Sequence, residues 1–187
     1  MKKTTLVAAL LASLATGAHA EGYIAGAVGP SHASLDCAGT SNCDNSGTGY
    51  KLVGGFKINP NVGLEVSYFD FGKAKATIFD PGFGTINGTL RTQGLGIGVA
   101  GFLDFTPAVY GVARLGVASL KTKIDVSSGG LSGSDSESNA QAYLGLGAGY
   151  RLTPNISLDA ALDLSRMEYG GEKANVRMLS VGATFKF

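Results

Sequence analysis

The sequence predicts an all-β fold, an eight-stranded antiparallel up-and-down transmembrane β-barrel. Three observations predict it. Apolar and small or polar residues alternate with period two along most of the chain. The stretches between these segments alternate in length: short and proline-containing at 59–61, 104–108 and 153–155, long and rich in Gly, Ser and Asp at about 31–48, 73–88, 121–139 and 167–174. The second face of the segments carries many of the 29 glycines and a few charges, which suits a narrow polar interior rather than a watery surface.

Residues 1–20 read as a cleaved secretory signal peptide. Lys2 and Lys3 precede an apolar run from Leu6 to Ala15, and Ala18-His19-Ala20 has the small-x-small form of a cleavage site. The run is too short to cross a bilayer, which takes roughly 20 residues, and no Cys follows the site to carry a lipid anchor. Residues 21–187 are then a single barrel domain. Of 15 Lys and Arg, Lys2 and Lys3 go with the leader, and the rest nearly balance 14 Asp and Glu. That balance argues against a nucleic-acid partner.

The first strand, "GYIAGAVG" from Gly22, is apolar or small on both faces. In "YKLVGGFKI", Tyr50, Leu52, Gly54, Phe56 and Ile58 oppose Lys51, Val53, Gly55 and Lys57. In "VGLEVSYF", Val62, Leu64, Val66 and Tyr68 oppose Gly63, Glu65, Ser67 and Phe69. In "QGLGIGVAGF", Leu95, Ile97 and Val99 oppose Gly94, Gly96 and Gly98. The pattern continues in "VYGVARLGV", with Arg114 on the small face, and in "AYLGLGAGYR", with Tyr143 there. "SLDAALDLS" places Asp159 and Asp163 opposite Leu158, Leu162 and Leu164. "MLSVGATFKF" ends the chain on Phe185 and Phe187.

The faces are expected to point opposite ways from those of a soluble barrel. The large apolar face meets lipid. The other lines the lumen, where glycine makes room for paired charges, since a lone buried charge costs several kcal/mol. Lys51, Glu65, Arg114, Asp159 and Asp163 are the expected lumen charge network. Tyr50, Phe56, Tyr68, Tyr150, Phe185 and Phe187 fall near strand ends on the outward face, as an interfacial aromatic girdle would. Cys37 and Cys43, close together in an exported chain, are expected to form a disulfide bracing the first long loop. The long loops, poor in aromatics, are expected to be mobile.

The segments "VGGFKINPNVGLEVSY", "YGVARLGV", "GAGYRLTPNISL" and "MLSVGATFKF" resemble the N-terminal eight-stranded barrel domain of the OmpA family of bacterial outer-membrane proteins. The resemblance runs over essentially the whole chain after residue 20, is weak in the loops, and does not extend to a periplasmic peptidoglycan-binding domain. It implies residence in the bacterial outer membrane, contact with its lipid and lipopolysaccharide, and delivery by the barrel-assembly machinery, for which Phe187 looks like the recognition signal. It also implies a lumen charge network that gates a small pore. Glu65 and Arg114 fall on two of its positions. Ala100, Gly149 and Asp159 stand where the family has Lys, Glu and Arg, so Glu65–Arg114 is the expected surviving pair, with Asp159 sharing Arg114.

No catalytic, cofactor or metal site is expected. "GIGVAG" matches G-x-G-x-x-G at Gly96, Gly98 and Gly101, but it lies inside an alternating strand with no helix to follow. His32, with Ser31, Ser34 and Asp36 nearby, sits at the start of a long loop and reads as a solvated histidine. The leading expectation is a monomeric, non-enzymatic barrel with a structural, surface-presenting role. One alternative is a narrow channel with Glu65 and Arg114 in its lumen. The other is an adhesin that meets a host or surface ligand through 31–48 and 121–139.

Overall fold

The computed structural model describes residues 21–34, 41–80, 84–128 and 131–187. The predicted signal peptide and Cys37 lie outside them, and Cys43 lies on the second strand. Nine strands are present among the described residues: β1 (Gly22–Ala33), β2 (Asn42–Asp44), β3 (Ser46–Asn59), β4 (Val62–Asp80), β5 (Gly84–Asp104), β6 (Val109–Ser128), β7 (Leu131–Arg151), β8 (Ile156–Tyr169) and β9 (Glu172–Lys186). Every long strand pairs antiparallel with its neighbours in sequence. β4 also pairs with β5, and β1 with β9, so the ladder closes into a ring of eight. Tyr23 faces Lys186 and Val28 faces Val181 across the closing seam. The short β2 is the ninth strand. It continues the β3 ladder along β4, with Asn42 opposite Thr77 and Asp44 opposite Lys75.

A ring satisfies every backbone group within its ladder and leaves no edge, the condition for strands to stand in hydrocarbon. Among the described residues no helix is long and apolar enough to cross a membrane. The side chains follow the expected parity. Ile97 is 68% exposed and Leu115 62%, while the residues on either side of each in sequence turn into the ring. Leu64, Val66, Leu146, Leu158, Leu179 and Val181 extend this outward apolar belt around the barrel.

The long connections differ from their expected form. Residues read as loops from composition are largely paired strand: β4 runs to Asp80 and β5 starts at Gly84, β6 runs to Ser128 and β7 starts at Leu131. Ile86 still pairs with Ser128, and Thr122 with Glu137. Above the belt neither face meets lipid, so both become polar and the apolar alternation fades while the backbone ladder continues. A turn at Gly170 and Gly171, with φ of 60° and 84°, joins β8 to β9. A second irregularity breaks the register between Asp70 and Lys73, at Gly72 with φ 75°.

Candidate functional site: the barrel interior

The lumen is filled in layers. At the lower rim, beside the proline turns, Lys57 and Lys186 reach Glu21 at 3.2 and 3.7 Å, and Arg151 pairs with Asp104. Lys57 also lies over the Phe102 ring, 5.1 Å from its centroid, and Arg151 lies 4.8 Å from that of Tyr110. The Tyr23 ring packs edge-on against Phe102.

Above this rim sit the charges. Arg114 Nε donates to Glu65 Oε2 at 2.9 Å, and Tyr23 Oη donates to Glu65 Oε1 at 2.9 Å. Lys51 Nζ meets Asp163 Oδ2 at 2.5 Å. All four charged residues are 8% exposed or less. Asp159 does not share Arg114. It accepts from Tyr110 Oη and, at 2.6 Å, from Thr184 Oγ1. Two hydroxyls therefore solvate the acid that stands where the resemblance expects an arginine. Gly149 makes the room, because a Cβ there would collide with both the Tyr110 ring and Asp159. Gly145 does the same one layer up, where a Cβ would lie 2.8 Å from Asp163 Oδ1 and 3.2 Å from Arg114 Cβ.

The charges are capped by an apolar layer that pairwise motif reading did not anticipate. Phe69, Phe71, Ala118, Leu120, Tyr143, Val176 and Met178 form one buried cluster. Phe69 stacks with Phe71 at 5.7 Å and meets Tyr143 edge-on at 5.0 Å. The available signal was parity, since Phe69 and Tyr143 occupy the small, inward face of their strands. Above the cluster the cavity lined in part by Thr92, Leu90 and Met167 has a volume of about 10 Å³, room for one water at most.

The glycines of "GIGVAG" serve this packing. Gly96 and Gly98 lie under the Tyr143 ring, and Gly101 faces outward, where a Cβ would meet only the Ala113 carbonyl oxygen at 3.9 Å. His32 contacts Ser46, its Nδ1 lying 3.3 Å from Ser46 Oγ. Among the described residues no group of three or more His, Cys, Asp or Glu side chains is placed to hold a metal ion.

Of the outward aromatics, Tyr50 and Tyr68 pack together at 5.9 Å near the upper edge of the belt. Phe185 and Phe187 stack at 6.3 Å at the lower rim, where Tyr150 is also exposed. Phe56 is half-buried beside the lower turn. Above the belt, Glu137 accepts from Asn139 Nδ2 at 3.0 Å and from the Gly170 amide at 2.9 Å. These bonds, Asn139 first, hold its carboxyl below the ordinary value. Tyr169 donates to Asp135, which raises its phenol above the ordinary value. Together these bonds tie the β8–β9 turn to the projecting end of β7.

A closed ring with a lipid-facing apolar belt and a packed, charge-paired interior defines an integral membrane β-barrel. The chain belongs to the outer membrane protein beta-barrel domain family, whose model matches residues 4–187, and its place is the bacterial outer membrane. An uncharacterised protein of Haemophilus influenzae is 26% identical over 199 residues, spanning 99% of this chain and 98% of that protein. The fold is similar to that of Ail, the attachment invasion locus protein of Yersinia pestis, with a TM-score of 0.61, 20% identity, and coverage of 90% of this chain and 99% of Ail. It is similar to Neisserial surface protein A, with a TM-score of 0.60, 18% identity, and coverage of 89% and 97%. The N-terminal barrel domain of Pseudomonas aeruginosa OprF gives a TM-score of 0.52, 20% identity, and coverage of 89% and 97%.

Proposed function

We propose that this chain is a non-conducting, non-enzymatic barrel that stabilises the outer membrane and holds its long hairpins at the cell surface. One observation carries the reading: the apolar layer from Phe69 to Met178 lies across the lumen directly over the paired charges. A pore needs a continuous wet path, and here the path meets packed side chains. In this reading the barrel-assembly machinery inserts the chain as a monomer, with Phe187 as its recognition residue, and lipopolysaccharide surrounds it.

Conductance in a planar bilayer tests the reading. The refolded chain is expected to give no discrete steps, with folding verified by a heat-dependent gel shift. Phe69→Ala/Met178→Ala, which empties the apolar layer, is expected to create intermittent openings. Steps in the parent that change with Glu65→Ala or Arg114→Ala would instead make it a channel whose lumen is set by that pair.

A second reading, surface attachment, is favoured by the projecting ladders of β4–β5 and β6–β7. A structure of Ail has been determined with the heparin analogue sucrose octasulfate. If this chain also attaches to a host or surface ligand, trimming β6–β7 between Lys123 and Asp135 abolishes attachment while the gel shift persists. Attachment at the parent level by the trimmed form would remove this reading.

A further inference from the structure

Two groups stand out among the basic residues. Those of the lumen and lower rim, Lys51, Lys57, Arg114, Arg151 and Lys186, all have a carboxylate within ion-pair distance. Among the described residues, Lys73, Lys75, Lys121, Arg166 and Arg177 have none. All five are exposed, and all five stand above the apolar belt. Lys121 lies between buried Leu120 and Thr122, Arg166 between buried Ser165 and Met167, and Arg177 between buried Val176 and Met178, so each points away from the lumen.

The β4 bulge makes two of these outward cations. Strict alternation from Glu65, Ser67 and Phe69 would turn Lys73 and Lys75 into the lumen. The extra residue at Gly72 shifts the face, so Ala74 is buried and both lysines are exposed. A side chain at Gly72 is barred twice, by its φ of 75° and by the Thr48 carbonyl, which a Cβ would approach to 2.5 Å. The bulge also places Lys73 opposite Arg91, and in the β5–β6 ladder Arg91 lies opposite Lys123, so like charges stand in register. Directly opposed like charges destabilise a sheet, and an anion between them removes that cost. Two of the three nearby carboxylates are already ion-paired. Asp70 is buried, pairs with Arg91 and accepts from the Gly72 amide; Asp125 pairs with Lys123; Asp44 accepts from the Ser46 amide.

At the bulge the surface opens into a cleft of about 510 Å³ lined by three cations, Lys73, Lys75 and Arg91, and two carboxylates, Asp44 and Asp70, with Tyr50 at its edge. Tyr50 and its neighbour Tyr68 are outward aromatics at the upper edge of the belt, so the cleft opens sideways at headgroup depth.

We propose that this cleft, with Lys121 and Lys123 beside it, binds the phosphate of an outer-leaflet lipid headgroup. The outward cations lie a few residues above the lipid-facing Leu95 and Val117. That position favours a lipid over a soluble polyanion. The site does not depend on whether the lumen conducts.

The test uses the chain from Glu21 refolded in phosphatidylcholine nanodiscs doped with diphosphoryl lipid A or with its dephosphorylated form. Native mass spectrometry reads the lipid retained. Preferential, salt-sensitive retention of the diphosphoryl form is expected. Lys73→Gln/Lys75→Gln/Lys121→Gln is expected to weaken it about a hundredfold, at roughly fivefold per charge near a membrane surface. Equal retention of the dephosphorylated lipid, or a triple variant that binds like the parent, overturns the proposal. So does sucrose octasulfate binding to lipid-A-free nanodiscs as tightly as lipid A binds, since the face would then take a soluble polyanion. A heat-dependent gel shift verifies each fold. Should the triple variant misfold, Lys121→Gln alone is expected to show the fivefold loss, and no loss overturns the site.

Discussion

Glu65 accepts from Arg114 and Tyr23 inside the ring, and its stability role follows from desolvation. Truncating one partner strands the other charge away from water, at about 3–5 kcal/mol, whereas removing both leaves only a packing defect. Glu65→Ala and Arg114→Ala are each expected to lower stability by about 3 kcal/mol. Glu65→Leu/Arg114→Leu is expected to fall well short of the sum. Urea unfolding in lipid vesicles, followed by the gel shift, reads all three. Glu65 and Arg114 could be picked out from sequence because both sit on the inward parity of clear strands and carry opposite charge. The partners of Asp159 could not. Its acid is met by two hydroxyls, and nothing in the residue types of Tyr110 and Thr184 distinguishes a donor to an acid from a solvated side chain.

The strands β5, β6 and β7 show why glycine crowds the small face. Tyr143 on β7 lies across Gly96 and Gly98 of β5 and Gly116 of β6. A Cβ on Gly116 would run into the Ile97 carbonyl and come within 2.5 Å of the Tyr143 ring. Gly116→Val is therefore expected to destabilise the barrel by about 2 kcal/mol through overpacking, with a larger effect if Tyr143 cannot leave its rotamer. Gly101→Val, on the outward face where a Cβ would meet nothing nearer than 3.9 Å, serves as its control in the same unfolding measurement. Strand identity and facing were readable wherever one face met lipid, because hydrocarbon enforces the alternation. Strand length was not. Beyond the belt the ladder is held by backbone bonds that leave no hydropathy signature, so the ends of β4 through β7 read as loops. The bulge at Gly72 was equally silent, because a one-residue shift changes which face Lys73 takes without changing any residue type.

For the whole molecule, the ring and its topology followed from period and turn spacing, while the blocked lumen needed three dimensions. Phe69, Leu120 and Met178 come from three strands, and only ring closure brings them together. The same closure also imposes an order in time. The seam joins Tyr23 to Lys186, two residues from opposite ends of the domain, so no partial product of synthesis can complete it. Until β9 reaches β1, both strands present bare edges, and the entropy of bringing such distant segments together opposes the final step. Closure therefore waits until β9 has been made, and until then the chain is an open form that neighbouring copies could pair with. The most hazardous interval in the life of this protein comes before it is a barrel at all.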